Sequence, residues 1–87
     1  MIIGKVIGSV VATRKNEKLI GSKFLIIESI HDNEQKRVVA IDNLGAGIGE
    51  IVLVTLGSGA RAGNPEIPVD AMVVGIVDGP DKITITT

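Results

Sequence analysis

The sequence predicts an all-β protein, a small five-stranded OB-like β-barrel with one short helix, in which residues 1–87 form a single domain. Hydrophobic residues make up 45% of the 87 residues, yet Phe24 is the only aromatic one. Ile, Val and Thr number 14, 11 and 5, and β-branched side chains pack well on a pleated sheet. The 11 glycines are spread along the chain, as the turns and bends of a small barrel require.

The order of apolar and polar stretches assigns the individual elements. Gly4 and Gly8 lie within the first predicted strand and indicate a bend or bulge, which a curling sheet needs. The polar stretch 31–36 predicts an exposed hairpin turn, and Ser58 is a candidate cap for a short helical turn over residues 60–62. The tail, residues 82–87, has strand character and is expected to pair, within the chain or with a neighbouring subunit. The predicted strands cover residues 2–13, 23–30, 37–41, 51–56 and 72–77, and the unbroken apolar run of the fourth predicts burial on both faces.

The residue types that the chain lacks exclude several classes of function. There is no Cys, which excludes disulfides, thiolate zinc sites and a Cys nucleophile, and the only histidine, His31, lies in a polar turn. We therefore expect no metal and no cofactor. The net charge of −1 provides no attraction for nucleic acid or an anionic membrane, and the absence of a signal peptide or membrane-length apolar run predicts a cytoplasmic protein. A domain this small is marginally stable alone, so self-association is the remaining source of stability.

A glycine-rich segment invites comparison with phosphate-binding loops. Gly45, Gly47 and Gly49 give the pattern G-x-G-x-G, but the dinucleotide fingerprint needs a sixth-position Gly where this chain has Glu50. The fingerprint is also followed by a helix, whereas a predicted strand follows here. The second cluster, residues 57–63, misses the same spacing and lacks the Walker Lys. A tight turn, or a backbone crowded against symmetry-related copies, explains the alternating glycines better.

The acidic residues and Arg61 do not form a recognisable catalytic arrangement in the sequence. Asp42, Asp70 and Asp78 each end or precede an apolar run, which is typical of turn and cap roles, and Asp70 is the best candidate for a cap. Arg61 stands between small residues, where its fork of donors suits an interface, although an ordinary solvated Arg explains it equally well. An OB-type domain that binds single-stranded nucleic acid or a small ligand is the alternative function. Such binding to nucleic acid needs basic grooves and aromatic stacking platforms, which one Phe cannot supply.

Five sequence elements, in order, resemble the EutN/CcmL family, the pentameric vertex proteins of ethanolamine-utilisation compartments, carboxysomes and related shells. The strongest is D-x-x-G-A-G-x-G-E, here residues 42–50, followed by an apolar strand. Two departures occur, because Gly59 replaces a second Ser and Ile51 stands where many members carry an aromatic residue. The other four elements are G-S-V-V-A-T at 8–13, L-I-G-S-K at 19–23, G-S-G-A-R at 57–61 and P-V-D-A-M-V-V-G-I-V-D at 68–78.

The resemblance implies a non-catalytic structural subunit that assembles as a cyclic homopentamer around a narrow axial pore and contacts hexameric shell proteins. It places the protein in the shell of a cytoplasmic microcompartment. By this analogy, the subunit or hexamer interface includes Ser58, Arg61, Ile83 and Ile85. The residues expected to line the axis are Gly45, Ala46, Gly47, Ile48, Gly49 and Glu50.

Overall fold

The structure, a computed structural model, describes residues 1–12, 19, 23–30, 36–57 and 69–86. Five strands in this part of the chain close into one barrel, with the spatial order β1-β2-β3-β5-β4. This confirms the predicted all-β class and the five-stranded barrel. The strands are β1 (Ile2–Val10), β2 (Lys23–Ser29), β3 (Arg37–Asp42), β4 (Ile51–Leu56) and β5 (Ala71–Val77).

The ladders of the barrel differ in length. Four of the five strand pairs are antiparallel, and their ladders run through four to six residue pairs. The parallel pairing of β3 with β5 consists of one pair, Ile41 with Met72. One register shift lies in β1, where Ile7 is the extra residue between Val6 and Gly8, and the other lies in β5, where Val74 is the extra residue opposite Leu53 and Val54. Such bulges increase the local twist and help a short sheet to close on itself.

The barrel interior is filled by small and β-branched side chains, without an aromatic one. In β2 and β4, buried residues alternate with less buried ones, as expected for a sheet with one face toward the core. β3 departs from this pattern and ends in three successive buried residues, Ala40, Ile41 and Asp42. Ile2, Val38 and Ile76 pack against the edge of the core. The buried cluster consists of Val6, Leu25, Ile27, Ala40, Ala46, Val52, Val54, Ala71 and Val73.

Gly4 allows β1 and β2 to approach each other closely inside the barrel. A Cβ at this position would collide with Cγ2 of Ile27 and would lie 2.9 Å from the carbonyl oxygen of Glu28. Gly4, which was predicted to mark a bend or bulge, therefore allows β1 to lie close to β2. The bulge of β1 lies at Ile7, three residues further on.

Some predicted boundaries need correction. β1 ends at Val10 and not at residue 13, and β4 is fully buried on one face only, since Ile51 and Leu53 are half-buried. A 3-10 helix, Pro80–Lys82, follows β5, and its last residue lies in the tail for which strand character was predicted. Residues 83–86 of this tail form no strand in the described part of the chain. The predicted helical turn at 60–62 and the hairpin turn at 31–35 lie outside the described residues. Among the described residues, no helix is long and apolar enough to cross a membrane.

Candidate functional site

The glycine-rich loop, residues 43–50, connects β3 to β4 and is anchored at its start by Asp42. This last residue of β3 is only 2% exposed. Its Oδ1 accepts a hydrogen bond from the backbone N–H of Leu44 at 2.9 Å, and its Oδ2 accepts one from Ala46 at 2.7 Å. Bonds from N–H groups to a carboxylate are stronger than bonds between neutral groups, so they compensate for burying the charge. One side chain therefore fixes the first half of the loop.

The second half of the loop is held by Glu50 and by β1. The Glu50 Oε1 accepts a hydrogen bond from the N–H of Gly47 at 2.6 Å, and the Glu50 N–H donates to the Gly47 carbonyl at 3.1 Å. The Gly49 N–H donates to the Val6 carbonyl at 2.8 Å, while the Val6 N–H donates to the Glu50 carbonyl at 2.9 Å. These bonds extend the β1–β4 ladder into the loop and tie it to the barrel wall.

Two glycines of the loop are required by backbone conformation. Gly45 has φ 88° and Gly49 has φ 90°, in the region that residues with a Cβ rarely adopt. No heavy atom lies within 4 Å of a Cβ built on either one, so the requirement is conformational rather than steric. Gly47 differs, because its φ lies outside that region and its Cβ would meet only the end of the Glu50 side chain, at 3.2 Å.

The hydrogen bonds of the loop leave it poorly suited to hold a phosphate. A phosphate-binding loop directs several free backbone N–H groups at its ligand. In this loop, Asp42, Glu50 and the backbone already accept hydrogen bonds from the N–H groups. This agrees with the sequence analysis, which found no nucleotide-binding motif here. The donors occupied in this way are the N–H groups of Leu44, Ala46, Gly47, Gly49 and Glu50.

The hydrogen-bonded backbone of the loop exposes apolar side chains to solvent. Ile48 is 67% exposed, and Leu44 is exposed as well. Ala46 is an exception among the residues predicted to line an axis, since it is 1% exposed and belongs to the core. Its methyl group packs in the core and its N–H donates to Asp42, and its placement beside an axis stays a prediction. A contiguous apolar patch is typical of a protein contact surface, and Leu44 and Ile48 are the candidates for one on this loop.

The outer face of the barrel carries a charged row across three strands. Lys5 lies opposite Glu28, and Glu28 lies opposite Arg37. The Arg37 Nε is 2.9 Å from the Glu28 Oε2. The Arg37 side chain is well exposed, so this ion pair contributes less than about 1 kcal/mol. The row marks a hydrophilic side of the barrel.

The other predicted site residues are placed as follows. Ser58 and Arg61 lie outside the described residues, so their interface role stays a prediction. Ile83 is half-buried and Ile85 is 68% exposed, and neither belongs to a strand in the described part of the chain. Asp70 begins no helix among the described residues, and its carbonyl accepts a hydrogen bond from the N–H of Gly57 at 2.7 Å.

Asp42 anchors the glycine-rich loop but was not among the site residues predicted from the sequence. A turn role for it was predicted from its short side chain, and the two hydrogen bonds confirm that role. The spacing D-x-x-G-A-G was the available signal, because an Asp that precedes a glycine-rich turn commonly accepts bonds from the following N–H groups. In the described residues, no group of three or more His, Cys, Asp and Glu side chains is arranged to hold a metal ion.

A closed five-stranded barrel, with most N–H groups of its glycine-rich loop already hydrogen-bonded within the protein, defines a small OB-like β-barrel protein with no phosphate-binding loop among the described residues. Residues 1–78 match the sequence model of the family described as "Ethanolamine utilisation protein EutN/carboxysome". The chain belongs to this family, as the five sequence elements predicted. The match includes β1 to β5 and the whole glycine-rich loop, and it ends before the 3-10 helix.

Named relatives agree with this assignment. The chain is 47% identical over 83 residues to the bacterial microcompartment shell vertex protein GrpN of Rhodospirillum rubrum (strain F11), covering 90% of this chain and 93% of the relative. It is 45% identical over 83 residues to the carboxysome shell vertex protein CcmL of Gloeobacter violaceus, covering 90% and 83% of the two chains.

Solved structures of similar proteins share the fold. The GrpN pentameric microcompartment shell protein from Rhodospirillum rubrum superimposes with a TM-score of 0.79 at 46% identity, over 91% of this chain and 95% of the other. The pentameric shell protein MSM0273 from the RMM microcompartment gives a TM-score of 0.83 at 33% identity, over 100% of both chains.

Proposed function

We propose that this protein is a structural subunit of a bacterial microcompartment shell, in which five copies form a cyclic homopentamer that closes a vertex. The observation that carries the proposal is the 47% identity to a shell vertex protein whose solved structure is described as pentameric. A sheet of hexameric units closes only where fivefold units stand at its corners, which gives such a subunit its role. Its partners in the shell are then the hexameric shell proteins that surround each vertex.

The glycine-rich loop is our candidate for the segment that surrounds the fivefold axis. It is exposed at Gly45, Gly47 and Gly49, where the absence of side chains lets backbones crowd together. Its hydrogen bonds to Asp42 and Val6 give it one conformation before assembly. Five identical loops of fixed shape can meet around an axis without the entropy cost of ordering them first.

Contacts between neighbours in a ring are heterologous, so each subunit needs two different complementary patches. The apolar side chains of Leu44 and Ile48 suit one of them, because they are exposed on an ordered loop. We assign Ser58, Arg61, Ile83 and Ile85 to contacts with a neighbouring subunit or an adjoining hexamer, on the family resemblance and on the exposed apolar tail.

We also propose that the subunit performs no catalysis. The relatives are named as shell vertex proteins, and the described residues bring together no cluster of acidic and histidine side chains. Nucleic acid and membranes are not among the proposed partners, since the charge balance is close to neutral and slightly acidic.

Native mass spectrometry of the purified chain tests the proposal. We expect a species of five times the subunit mass at micromolar concentration. In the same experiment, Gly47→Leu should reduce the fivefold species, because five isobutyl groups would crowd the axis. Gly47→Ala is the matched control and should retain it, since the added carbon meets only the flexible end of Glu50.

A stable single-subunit mass for the parent chain would refute the homopentamer. A fivefold mass for Gly47→Leu, with an axial opening unchanged in its solved structure, would refute only the axial placement of the loop. The two failures are therefore distinguishable.

A further inference from the structure

The contact between β3 and β5 is the weakest part of the barrel wall. It consists of the single pair Ile41 and Met72, whereas every other ladder has at least four pairs. Because these two strands are parallel, the second half of β5 continues beyond the end of β3 at Asp42. We call this half, residues 74–77, the β5 edge.

The β5 edge pairs with a strand on one side only. Gly75, Ile76 and Val77 pair with β4, and no strand of the described chain lies on their other side. Outside the ladders, the one backbone hydrogen bond described for this edge joins the Gly79 N–H to the Val77 carbonyl, at 2.9 Å. Val74 is 45% exposed. An apolar edge without Lys or Pro is a template for another strand.

The C-terminal tail has the properties of such a strand. Residues 83–86 read I-T-I-T, an uncharged alternation of β-branched residues. Ile83 is extended, with φ −103° and ψ 124°, immediately after the 3-10 helix. Ile85 is 68% exposed, and residues 83–86 belong to no strand in the described chain. The tail is therefore a β-prone segment without a ladder of its own.

Within the described residues, the β5 edge and the strand-like tail both lack a strand partner, and they are not joined to each other. Residues 78–82, which link the two, contain the 3-10 helix, in which the Lys82 N–H donates to Gly79 at 3.2 Å. This turn leaves the tail unpaired with its own β5. The backbone groups of the β5 edge in one copy can instead pair with the tail of another copy. Because the two paired segments differ, each copy then contacts one neighbour through its edge and another through its tail, as in a ring with head-to-tail contacts.

We propose that residues 83–86 of one copy add as a β-strand to the β5 edge of a neighbouring copy. This inference rests on the proposed homo-oligomer and specifies one of its contacts. The family match ends at residue 78, so the tail lies outside the residues that assign the family. Main-chain hydrogen bonds supply the affinity in strand addition, and alternate side chains supply the register.

Disulfide trapping tests the contact, and the chain offers a clean background because it contains no Cys. The variants Ile85→Cys and Val74→Cys are co-expressed and oxidised mildly, and mixed disulfide dimers are identified by their mass. The control pairs Ile85→Cys with Lys5→Cys. Lys5 is exposed, but it lies on β1, which is paired on both sides and cannot accept a strand. We expect at least about tenfold more mixed dimer for the Val74 pair, because adjacency raises the effective thiol concentration.

Three outcomes would overturn the inference. Equal trapping for the Val74 and Lys5 pairs, in a chain of fivefold native mass, would refute the tail contact and leave the pentamer standing. An intrachain disulfide in the double variant Val74→Cys/Ile85→Cys would show that the tail folds onto its own barrel. A single-subunit mass for the parent chain would refute the contact and the pentamer together.

Discussion

The glycine-rich loop and the C-terminal tail are both exposed, yet they differ in how their conformation is determined. The loop has internal acceptors for most of its N–H groups, supplied by Asp42, Glu50 and β1. The tail is extended but has no ladder partner in the described chain. The domain therefore fixes the conformation of one exposed segment with its own hydrogen bonds, whereas the other exposed segment has no strand partner among the described residues.

The largest expected effect comes from breaking the anchor of the loop. Asp42→Ala removes both carboxylate acceptors and leaves the buried N–H of Ala46 without a partner. We expect the free energy of unfolding to fall by about 3–4 kcal/mol in urea denaturation. Asp42→Asn is the matched control, and about half of this loss is expected because one acceptor oxygen remains. A loss below about 1 kcal/mol for Asp42→Ala would contradict an ordered loop that depends on this residue.

A smaller effect is expected from the loop backbone. Gly49→Ala places a Cβ at φ 90° and should cost about 1–2 kcal/mol of unfolding free energy. Gly47→Ala serves as the control, because its φ is outside that region, and it should cost less than about 0.5 kcal/mol. Equal losses for the two variants in the same urea titration would mean that the conformation at Gly49 is not maintained in solution.

The smallest expected effect is at the tail. Removal of residues 83–87 should change the unfolding free energy of single chains by less than about 0.5 kcal/mol, since the tail makes no ladder there. The measurement is made at a protein concentration low enough for single chains to predominate, because oligomers gain stability with concentration. A loss above about 1 kcal/mol would indicate that the tail packs on its own barrel, and the contrast with the loop would disappear.

Much of the fold could be predicted because local signals and the final structure agree. Residues 51–56 were predicted as a strand and form β4 with the same bounds, since an apolar run is flanked there by Gly–Glu and by Gly57. β1 was predicted too long because Val11 and Thr13 have high strand propensity. β1 ends at Val10, whose partner Phe24 lies at the start of β2. The length of the partner strand therefore determines where β1 ends.

The candidate site was harder to predict than the fold. The glycines of residues 45–49 were visible in the sequence, but the acceptors that hold them depend on how the chain turns after Asp42. Ala46 was grouped with its exposed neighbours, although its side chain enters the core. The incomplete β3–β5 ladder could not be seen at all, because strand pairing across the barrel has no local signature.

Most N–H groups of the glycine-rich loop are hydrogen-bonded within the protein, which affects how the loop behaves in a cell rich in dissolved phosphate esters. A loop of free N–H groups would accumulate such ions and would have to release them before another surface could approach. Here the carboxylate of the buried Asp42 accepts two of the N–H groups, and Glu50 and the backbone accept three more. The loop therefore offers few free N–H groups to such ions, and copies of it can come together without first releasing bound anions.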